Sequence, residues 1–598
     1  MPKIWRFAAY DEINVKSLAA KLNVSPVLAQ VLSARGYESV KAAREFLEPK
    51  LGDLHDPERL PGAAAAADRI VAAIAAGRRI MIYGDYDVDG VTATSLLWHC
   101  LTLAGAKVEY YIPHRLDEGY GLNLEALRQF HERDPQMLVV TVDCGIGSVV
   151  EAAAARDMSL ELILTDHHEP GPVLPQPDCL VHPRLDGTDY PFGDLCGVGV
   201  AFKLAWAVCQ RLGDGKRASP RMREFLLSAI GLAAIGTIAD VVPLLEENRI
   251  LVRYGLVSLR ERATPGLQAL LRVAGLHDKP EFHAEDVAYS LAPRINAAGR
   301  LGQARLAVEL LTTDNADRAK VLAAYLEEQN KVRQTVERRI LKQARELVEA
   351  HPAWANQPVL VLAHHDWHPG VIGIVATRVA EQFQKPAVLI ALNHQDVLGQ
   401  GSARSFAGFD LHRAFSTCAD LFATFGGHQA AAGLKIRSDQ IDVFRERLCA
   451  HASLAHTVNA RDLELQIDVE TRLADLTATA VQELDRLGPF GKSNPRPVFA
   501  CQRVELAGPP KKMGEGERHL SLQVRQYGAT LRAVSFGNAD WAEQIAAAQQ
   551  PLSISFAPSI NHFQGRRNVE LKLLDWRGSE TPAAPQPETQ AATPVAAT

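Results

Sequence analysis

Cysteine is scarce and scattered in this 598-residue chain. Its eight cysteines (Cys100, Cys144, Cys179, Cys196, Cys209, Cys418, Cys449 and Cys501) form no C-x-x-C pair. That argues against a zinc cage or a disulfide framework and for reduced thiols in a cytoplasmic protein. No uninterrupted apolar run approaches the roughly 20 residues needed to cross a bilayer. Met1-Pro2-Lys3-Ile4-Trp5-Arg6 lacks the apolar core of a secretory leader. Excess positive charge is missing as well: the formal net charge is −6. This argues against wholesale coating of nucleic acid but leaves room for a local basic groove, because the potential at a cleft follows the charges around it. The chain is too long for one hydrophobic core, so three or four domains are expected.

Three signatures start and then fail. Asp85-Tyr86-Asp87-Val88-Asp89-Gly90 opens like an EF-hand calcium loop, but the twelfth position, which needs a bidentate Glu, is Leu96. Gly488-Pro489-Phe490-Gly491-Lys492-Ser493 ends like a P-loop, but position 486, where the first glycine must stand, is Arg. His364-His365-Asp366-Trp367-His368 holds three histidines without the spacing of a zinc hydrolase helix.

What is present is an acidic turn in a telling place. Ile80-Met81-Ile82 reads as a buried strand, and Val91 to Leu97 reads as the start of a helix. Asp85, Asp87 and Asp89 therefore occupy a strand-to-helix turn, the position where open α/β sheets bind ligands. Three anions so close repel one another, and a hard divalent cation would hold them. The bland alternative is a solvated acidic turn. Strands and helices then alternate: Val108 to Ile112, Leu124 to Phe130, Met137 to Val142, Ser148 to Arg156 and Leu160 to Leu164. This predicts a doubly wound, largely parallel sheet. Asp143-Cys144-Gly145 and Asp166-His167-His168 each follow a predicted strand, so three strands deliver acidic or imidazole groups to one sheet edge. Asp240, in Gly236-Thr237-Ile238-Ala239-Asp240, is the only charge in an apolar segment from Leu226 to Leu245. Such a charge should be paired or bind metal; a helix cap or ion pair is the plainer reading.

Together these four stretches resemble the ordered motifs of the DHH phosphoesterase superfamily, nearest to its bacterial exonucleases specific for single-stranded DNA. The resemblance covers about residues 1 to 577. It implies a multidomain α/β chain: a helical lead-in (1–60), a parallel-sheet DHH catalytic domain (61–313), a linker helix (314–352) and a smaller α/β DHH-associated, substrate-binding domain (353–456). A nucleic-acid-binding β-barrel of OB type (457–577) and a disordered Pro-, Ala- and Thr-rich tail (578–598) follow. The implied activity is 5′→3′ hydrolysis to 5′-mononucleotides in DNA repair and recombination, with two Mn²⁺ or Mg²⁺ ions clamping the attacking and leaving oxygens. Asp143 is the implied bridge, Asp87 and Asp89 each face one metal, His167 and Asp240 complete the second site, His168 orients substrate or moves a proton, and Asp85 braces the turn. The implied partners are single-stranded DNA, single-strand-binding protein and a recombination helicase, with a monomeric chain and no membrane.

Further along, Pro293-Arg294-Ile295-Asn296-Ala297-Ala298-Gly299-Arg300 offers two arginine forks suited to phosphate. The resemblance favours Arg300 over Arg294. Ser402 and Arg404, and the stretch Gly426-Gly427-His428, are read as substrate-binding, against the plainer readings of a strand-end turn for the first and a tight helix entry for the second. The Lys- and Arg-rich stretch from Asp314 to Ala350 also carries Glu, and solvated helix faces account for most of it. Past residue 460, short β segments separated by turns, with Lys511, Lys512, Arg518, Arg525, Arg532, Arg566 and Arg567, suit a single-strand-binding barrel. Tyr527, Phe536, Phe556 and Phe563 are stacking or core candidates. Three other activities compete: a phosphodiesterase for very short oligonucleotides or cyclic dinucleotides, an inorganic pyrophosphatase, and a non-enzymatic binding protein. The length, the barrel and the intact acidic motifs argue against them.

Overall fold

The computed structural model describes residues 3–114, 118, 121–393, 397–455, 464–548, 550–563 and 566–578, and divides into two compact units. One unit holds residues 49–458 together with the short loop 489–494. The other gathers the described residues of 1–48, 459–488 and 495 onward.

The first unit begins with a five-stranded parallel sheet in the order Lys107–Tyr111, Arg79–Gly84, Leu138–Val142, Glu161–Thr165, Cys179–Val181. Leu138–Val142 is buried throughout, as expected of a parallel strand covered on both faces. The chain leaves Arg79–Gly84 towards one edge of the sheet and leaves Leu138–Val142 towards the other. The crevice between the carboxyl ends of these neighbours is therefore the topological switch point. The acidic turn and Asp143 both open into it.

Helix Val88–Leu103 starts within the acidic turn and is rich in small residues. It packs against helices Gly197–Arg211 and Pro220–Ala239. Pro220–Ala239 is long and apolar enough to cross a membrane by composition, but most of its apolar stretch is buried in this core. Its apolarity thus reflects helix-on-helix burial. Helix Ala316–Ala350, about 52 Å long at 1.5 Å per residue, then leads to a second sheet. That sheet runs Phe422–Gly427, Ala431–Arg437, Leu398–Arg404, Ala387–Ala391, Leu360–His364. Gly426 and Gly427 lie in a strand that pairs antiparallel with Ala431–Arg437, where the plainer reading of the sequence is a tight helix entry.

The second unit is a barrel. Strands Phe499–Leu506, His519–Gln526, Ala529–Ser535, Arg566–Arg577 and Leu552–Phe563 pair in that cyclic order, and Leu552–Phe563 pairs back onto Phe499–Leu506. Helix Trp541–Ala547 lies between the third and fourth strands in sequence. This is the closed five-stranded layout of an OB fold. Phe556 stacks on Phe499 inside it, with ring centroids 6.1 Å apart. Tyr527 and Phe536 are exposed. Two strands escape the sequence reading. Lys511–Met513 falls where the sequence predicts a turn between β segments, and it pairs with His519–Gln526. Ile4–Phe7, inside the expected helical lead-in, pairs in parallel with Glu464–Ile467. The side chains of Phe563 and Arg566, and the tail from 579, lie outside the described residues.

Candidate metal centre

Four elements bring the acidic motifs together. Asp87 caps helix Val88–Leu103: its Oδ1 accepts from the backbone N–H of Asp89 (2.8 Å) and Gly90 (3.1 Å). Asp89, one residue into the helix, is held from across the fold. Its carboxylate accepts from the N–H groups of Gly197 (2.6 Å) and Val198 (2.9 Å), the first residues of helix Gly197–Arg211. A helix N-terminus presents free N–H groups and positive potential, and so suits a carboxylate. Two glycines make this approach possible. A Cβ on Gly197 would lie 2.4 Å from Asp143 Oδ1, and one on Gly236 would lie 2.6 Å from Asp89 Oδ1. Asp143 itself takes a left-handed backbone (φ 63°) at the end of its strand.

Asp166 holds the two histidines. Its Oδ2 accepts from Ile146 N (2.8 Å), and its Oδ1 accepts from the backbone of His167 and His168 and bonds His168 Nδ1 (2.7 Å). Arg184 Nη2 donates to the His167 carbonyl, and His182 Nε2 to the His168 carbonyl at 2.9 Å. These bonds leave His167 Nε2 facing three carboxylates: Asp143 Oδ1 at 3.2 Å, Asp240 Oδ2 at 3.6 Å and Asp89 Oδ2 at 3.8 Å. Asp240 ends helix Pro220–Ala239. The helix dipole makes that end an unfavourable place for an anion unless a cation is near.

The electrostatics point the same way. Burial, then the Asp89, Asp87 and Asp85 charges, push the Asp143 carboxyl well above the ordinary range. Burial, then Asp87, raises Asp89 to about 7, and burial, then Asp89, raises Asp240 to about 8. Burial, then the His168 charge, lowers His167 to about 3, so its imidazole is neutral and keeps a lone pair. Burial would raise Asp166, but its bond with His168 holds it at about 2. Burial would lower His168, but the Asp166 bond and charge raise it to about 9.

The arrangement fits divalent cations. Ligand atoms of Asp89, His167 and Asp240 lie within 4.8 Å of one another, and so do those of Asp85, Asp87 and Asp143. Asp143 and His167 join the two groups. Asp143 Oδ1 and His167 Nε2 are buried without a hydrogen-bond partner among the described residues. Leaving such atoms bare is costly, and a cation satisfies both. A carboxylate-rich set with one imidazole suits Mn²⁺ or Mg²⁺. Asp85 is nearly fully buried and packs against Gly90, where a Cβ would lie 2.6 Å from its own; bracing and ligation are both open to it geometrically.

A second cluster forms at the N-terminus of helix Pro369–Phe383. Arg300 Nη1 donates to the Gly370 carbonyl (3.0 Å), and Arg404 Nη1 to Ser402 Oγ (3.1 Å). A Cβ on Gly373 would lie 3.0 Å from Ser402 Oγ and 3.1 Å from Arg404 Nη2. Gly433 pairs with both Gly426 and Ser402, so Ala431–Arg437 separates the Gly426-Gly427 strand from Leu398–Arg404 in the same sheet. The His428 N–H is taken by the Ala431 carbonyl (2.8 Å). Arg294 is committed elsewhere, in an ion pair with Glu327 (2.6 Å). Sequence reasoning missed three contributors: the Gly197-Val198 helix start, Asp166 as the hub of the histidines, and Lys492. The Lys492 carbonyl accepts from Leu244 N (2.9 Å), and its charge opposes the rise of the Asp240 pKa. The glycine-rich run Cys196-Gly197-Val198-Gly199 was the available signal for the first.

Three family descriptions match the chain: DHH family, N-terminal domain, over residues 79–232; DHHA1 domain over 356–453; and RecJ OB domain over 467–575. The single-stranded-DNA-specific exonuclease RecJ of Bacillus subtilis is 39% identical over 578 residues, 96% of this chain and 71% of that protein. Its Escherichia coli counterpart is 34% identical over 562 residues, covering 91% and 95%. The crystal structure of RecJ in complex with Mn²⁺ from Thermus thermophilus matches with a TM-score of 0.80 at 33% identity, covering 97% of this chain and 80% of that one. The corresponding Mg²⁺ complex matches with a TM-score of 0.73 at 31% identity, covering 97% and 79%.

Proposed function

Because the chain belongs to the RecJ family of single-stranded-DNA-specific exonucleases, we propose that it shortens single-stranded DNA from the 5′ end and releases 5′-mononucleotides. It is a metal-dependent enzyme that hydrolyses DNA and uses Mn²⁺ or Mg²⁺. The proposal adds polarity, product and residue roles. The observation that carries it is the pair of buried, unsatisfied atoms Asp143 Oδ1 and His167 Nε2, 3.2 Å apart between two groups of carboxylates.

Asp87 and Asp143 would hold one cation, and Asp89, His167 and Asp240 the other, with Asp143 between them and Asp85 bracing the turn. When bound, the cations supply Lewis acidity to the phosphoryl oxygens and ease the loss of a proton from water. Asp87 keeps Oδ2 free because Oδ1 is spent on the helix cap. Asp166 accepts from the His167 backbone N–H and so holds that residue where its Nε2, beside Asp89, Asp143 and Asp240, would meet the cations. His168, held protonated by Asp166, donates a hydrogen bond to a non-bridging oxygen of the scissile phosphate. Arg300, Ser402 and Arg404 receive the terminal 5′ phosphate and so set the polarity, and the Gly426-Gly427-His428 strand end, two strands along the same sheet, binds substrate with them. The barrel contributes single-strand affinity. On family resemblance, the proposed setting is DNA repair and recombination in the cytoplasm by a monomer, with single-strand-binding protein and a recombination helicase as accessory partners.

The test is product analysis in Mn²⁺ with a single strand of a few tens of nucleotides, labelled at either end. Immediate release of labelled mononucleotide from the 5′ label, with stepwise shortening of the 3′-labelled strand, is expected. Mononucleotide released first from the 3′ label overturns the polarity. Cleavage confined to dinucleotides moves the chain to a small-substrate phosphodiesterase.

A further inference from the structure

The long helix Ala316–Ala350 carries an unusual charge distribution. Between residues 331 and 345 the sequence places six cations (Lys331, Arg333, Arg338, Arg339, Lys342 and Arg345) and a single acid, Glu337, in a protein whose net charge is negative. That acid is turned inward: it is 2% exposed and is taken up by Arg333 (3.0 Å) and Arg378 (2.7 Å). Lys331, Arg338, Lys342 and Arg345 follow one another at spacings of seven, four and three, which puts them on one face. All four are exposed, and the buried stripe of the helix (Leu326, Asn330, Glu337, Ile340, Ala344, Val348) faces away from them. The face is about 21 Å long at 1.5 Å per residue.

Its existing partners are slight. Lys331 and Lys342 meet Glu327 and Glu346 only at 3.9 and 3.6 Å. Arg338 bonds the Gln334 carbonyl one turn back (3.2 Å), and Arg345 bonds Gln382 Oε1 (2.7 Å). No carboxylate neutralises either arginine among the contacts described. Arg339, about 100° round the helix from Arg338, is turned off this face and donates to the Asp366 carbonyl (3.2 Å).

We propose that this face of the long helix is a track for the phosphate backbone of the single-stranded substrate, beyond the nucleotide being removed. Regularly spaced, weakly paired cations fit a polyanion without reading its sequence, and they offset the repulsion the strand meets from the acid cluster. The inference rests on the single-strand exonuclease reading and extends it.

The test uses the full chain with Lys331, Arg338, Lys342 and Arg345 all changed to Gln, which preserves helix propensity. Binding of a labelled strand of a few tens of nucleotides is titrated in chelator across a range of salt. Loss of four phosphate contacts is expected to flatten the log–log salt slope by about 3, at about 0.7 per contact for single strands, and to weaken Kd at low salt about tenfold or more. The double variant R338Q/R345Q is expected to give about half that change in slope. Hydrolysis of a trinucleotide in Mn²⁺, which has a single phosphate beyond its first scissile linkage, is expected to persist. An unchanged slope and Kd overturn the proposal in favour of a merely solvated face. An equal loss on the trinucleotide overturns it in favour of damage to the fold. If the wild-type chain binds with the steep slope, and the variant with the flat one, while neither cleaves single strands, the track stands and the exonuclease reading falls.

Discussion

The two clusters of the first unit are built on the same scaffold from opposite materials. Each lies where a strand of an α/β layer meets the N-terminus of a helix. At the switch point of the first sheet, carboxylates crowd together, and burial forces their pKa values upward. At the start of helix Pro369–Phe383, donors converge instead: Arg300, Ser402 and Arg404. A cluster of acids at such a place asks for cations, and a cluster of donors asks for an anion. A phosphodiester whose scissile phosphate meets the first and whose terminal phosphate meets the second would satisfy both.

The most severe way to break this contrast is to remove the group shared by the two carboxylate sets. Asp143→Asn is expected to cut kcat by roughly a thousandfold or more, the scale of losing a central charge-stabilising group, while leaving chelator-state DNA affinity within about twofold; steady-state kinetics and anisotropy read the two. Next comes Gly197→Ala, whose methyl group collides with Asp143. Mn²⁺ affinity by calorimetry is expected to fall about 10- to 100-fold, as when a ligand's support is lost, and wild-type affinity would show that the helix start can yield. Arg404→Ala attacks the other cluster. It is expected to lower kcat/KM about tenfold or more on 5′-phosphorylated strands, the worth of a charge-assisted hydrogen bond, with little change on 5′-hydroxyl strands. Equal losses on both ends would remove the terminal phosphate from this cluster.

The smallest expected effect sharpens the electrostatic half. Asp89 and Asp240 titrate in the fold at about 7 and about 8, against about 4 for an ordinary carboxylate. Across that window the metal-free fold binds more protons than the unfolded chain. Its stability therefore falls as pH rises, and the contribution present below about pH 4 is gone above about pH 8. Bound cations remove this penalty. Chelation is expected to lower Tm by a few °C more at about pH 8.5 than at about pH 6, and scanning calorimetry with and without chelator checks the sign.

How much of this could be read from the sequence depended on how local the cause was. Asp85, Asp87, Asp89, Asp143, His167 and His168 follow strands whose apolar runs are plain in the sequence, so their shared edge could be inferred. Asp240 could be inferred because a lone charge stands out in an apolar helix. The clamp on Asp89 could not, since Gly197 and Val198 are more than a hundred residues away and glycine says only that space is needed. Arg294 and Arg300 look alike in sequence; only the tertiary fold places Glu327 against Arg294. Ile4–Phe7 gave no strand signal because its partner, Glu464–Ile467, is some 460 residues distant, and short strands take their stability from pairing.

That last pairing governs how the chain must be made. Trp5 Nε1 donates to Asp575 Oδ2 (2.7 Å), Arg577 covers the Trp5 ring (4.4 Å to its centroid), and Arg577 Nη2 donates to the Lys3 carbonyl (2.8 Å). Residues 3–7 thus wait for residues some 460 to 570 positions later before finding their partners. In the meantime residues 49–458 hold every acidic ligand of the metal centre and can collapse around it. Synthesis would yield the catalytic core early and the barrel with its N-terminal strand late.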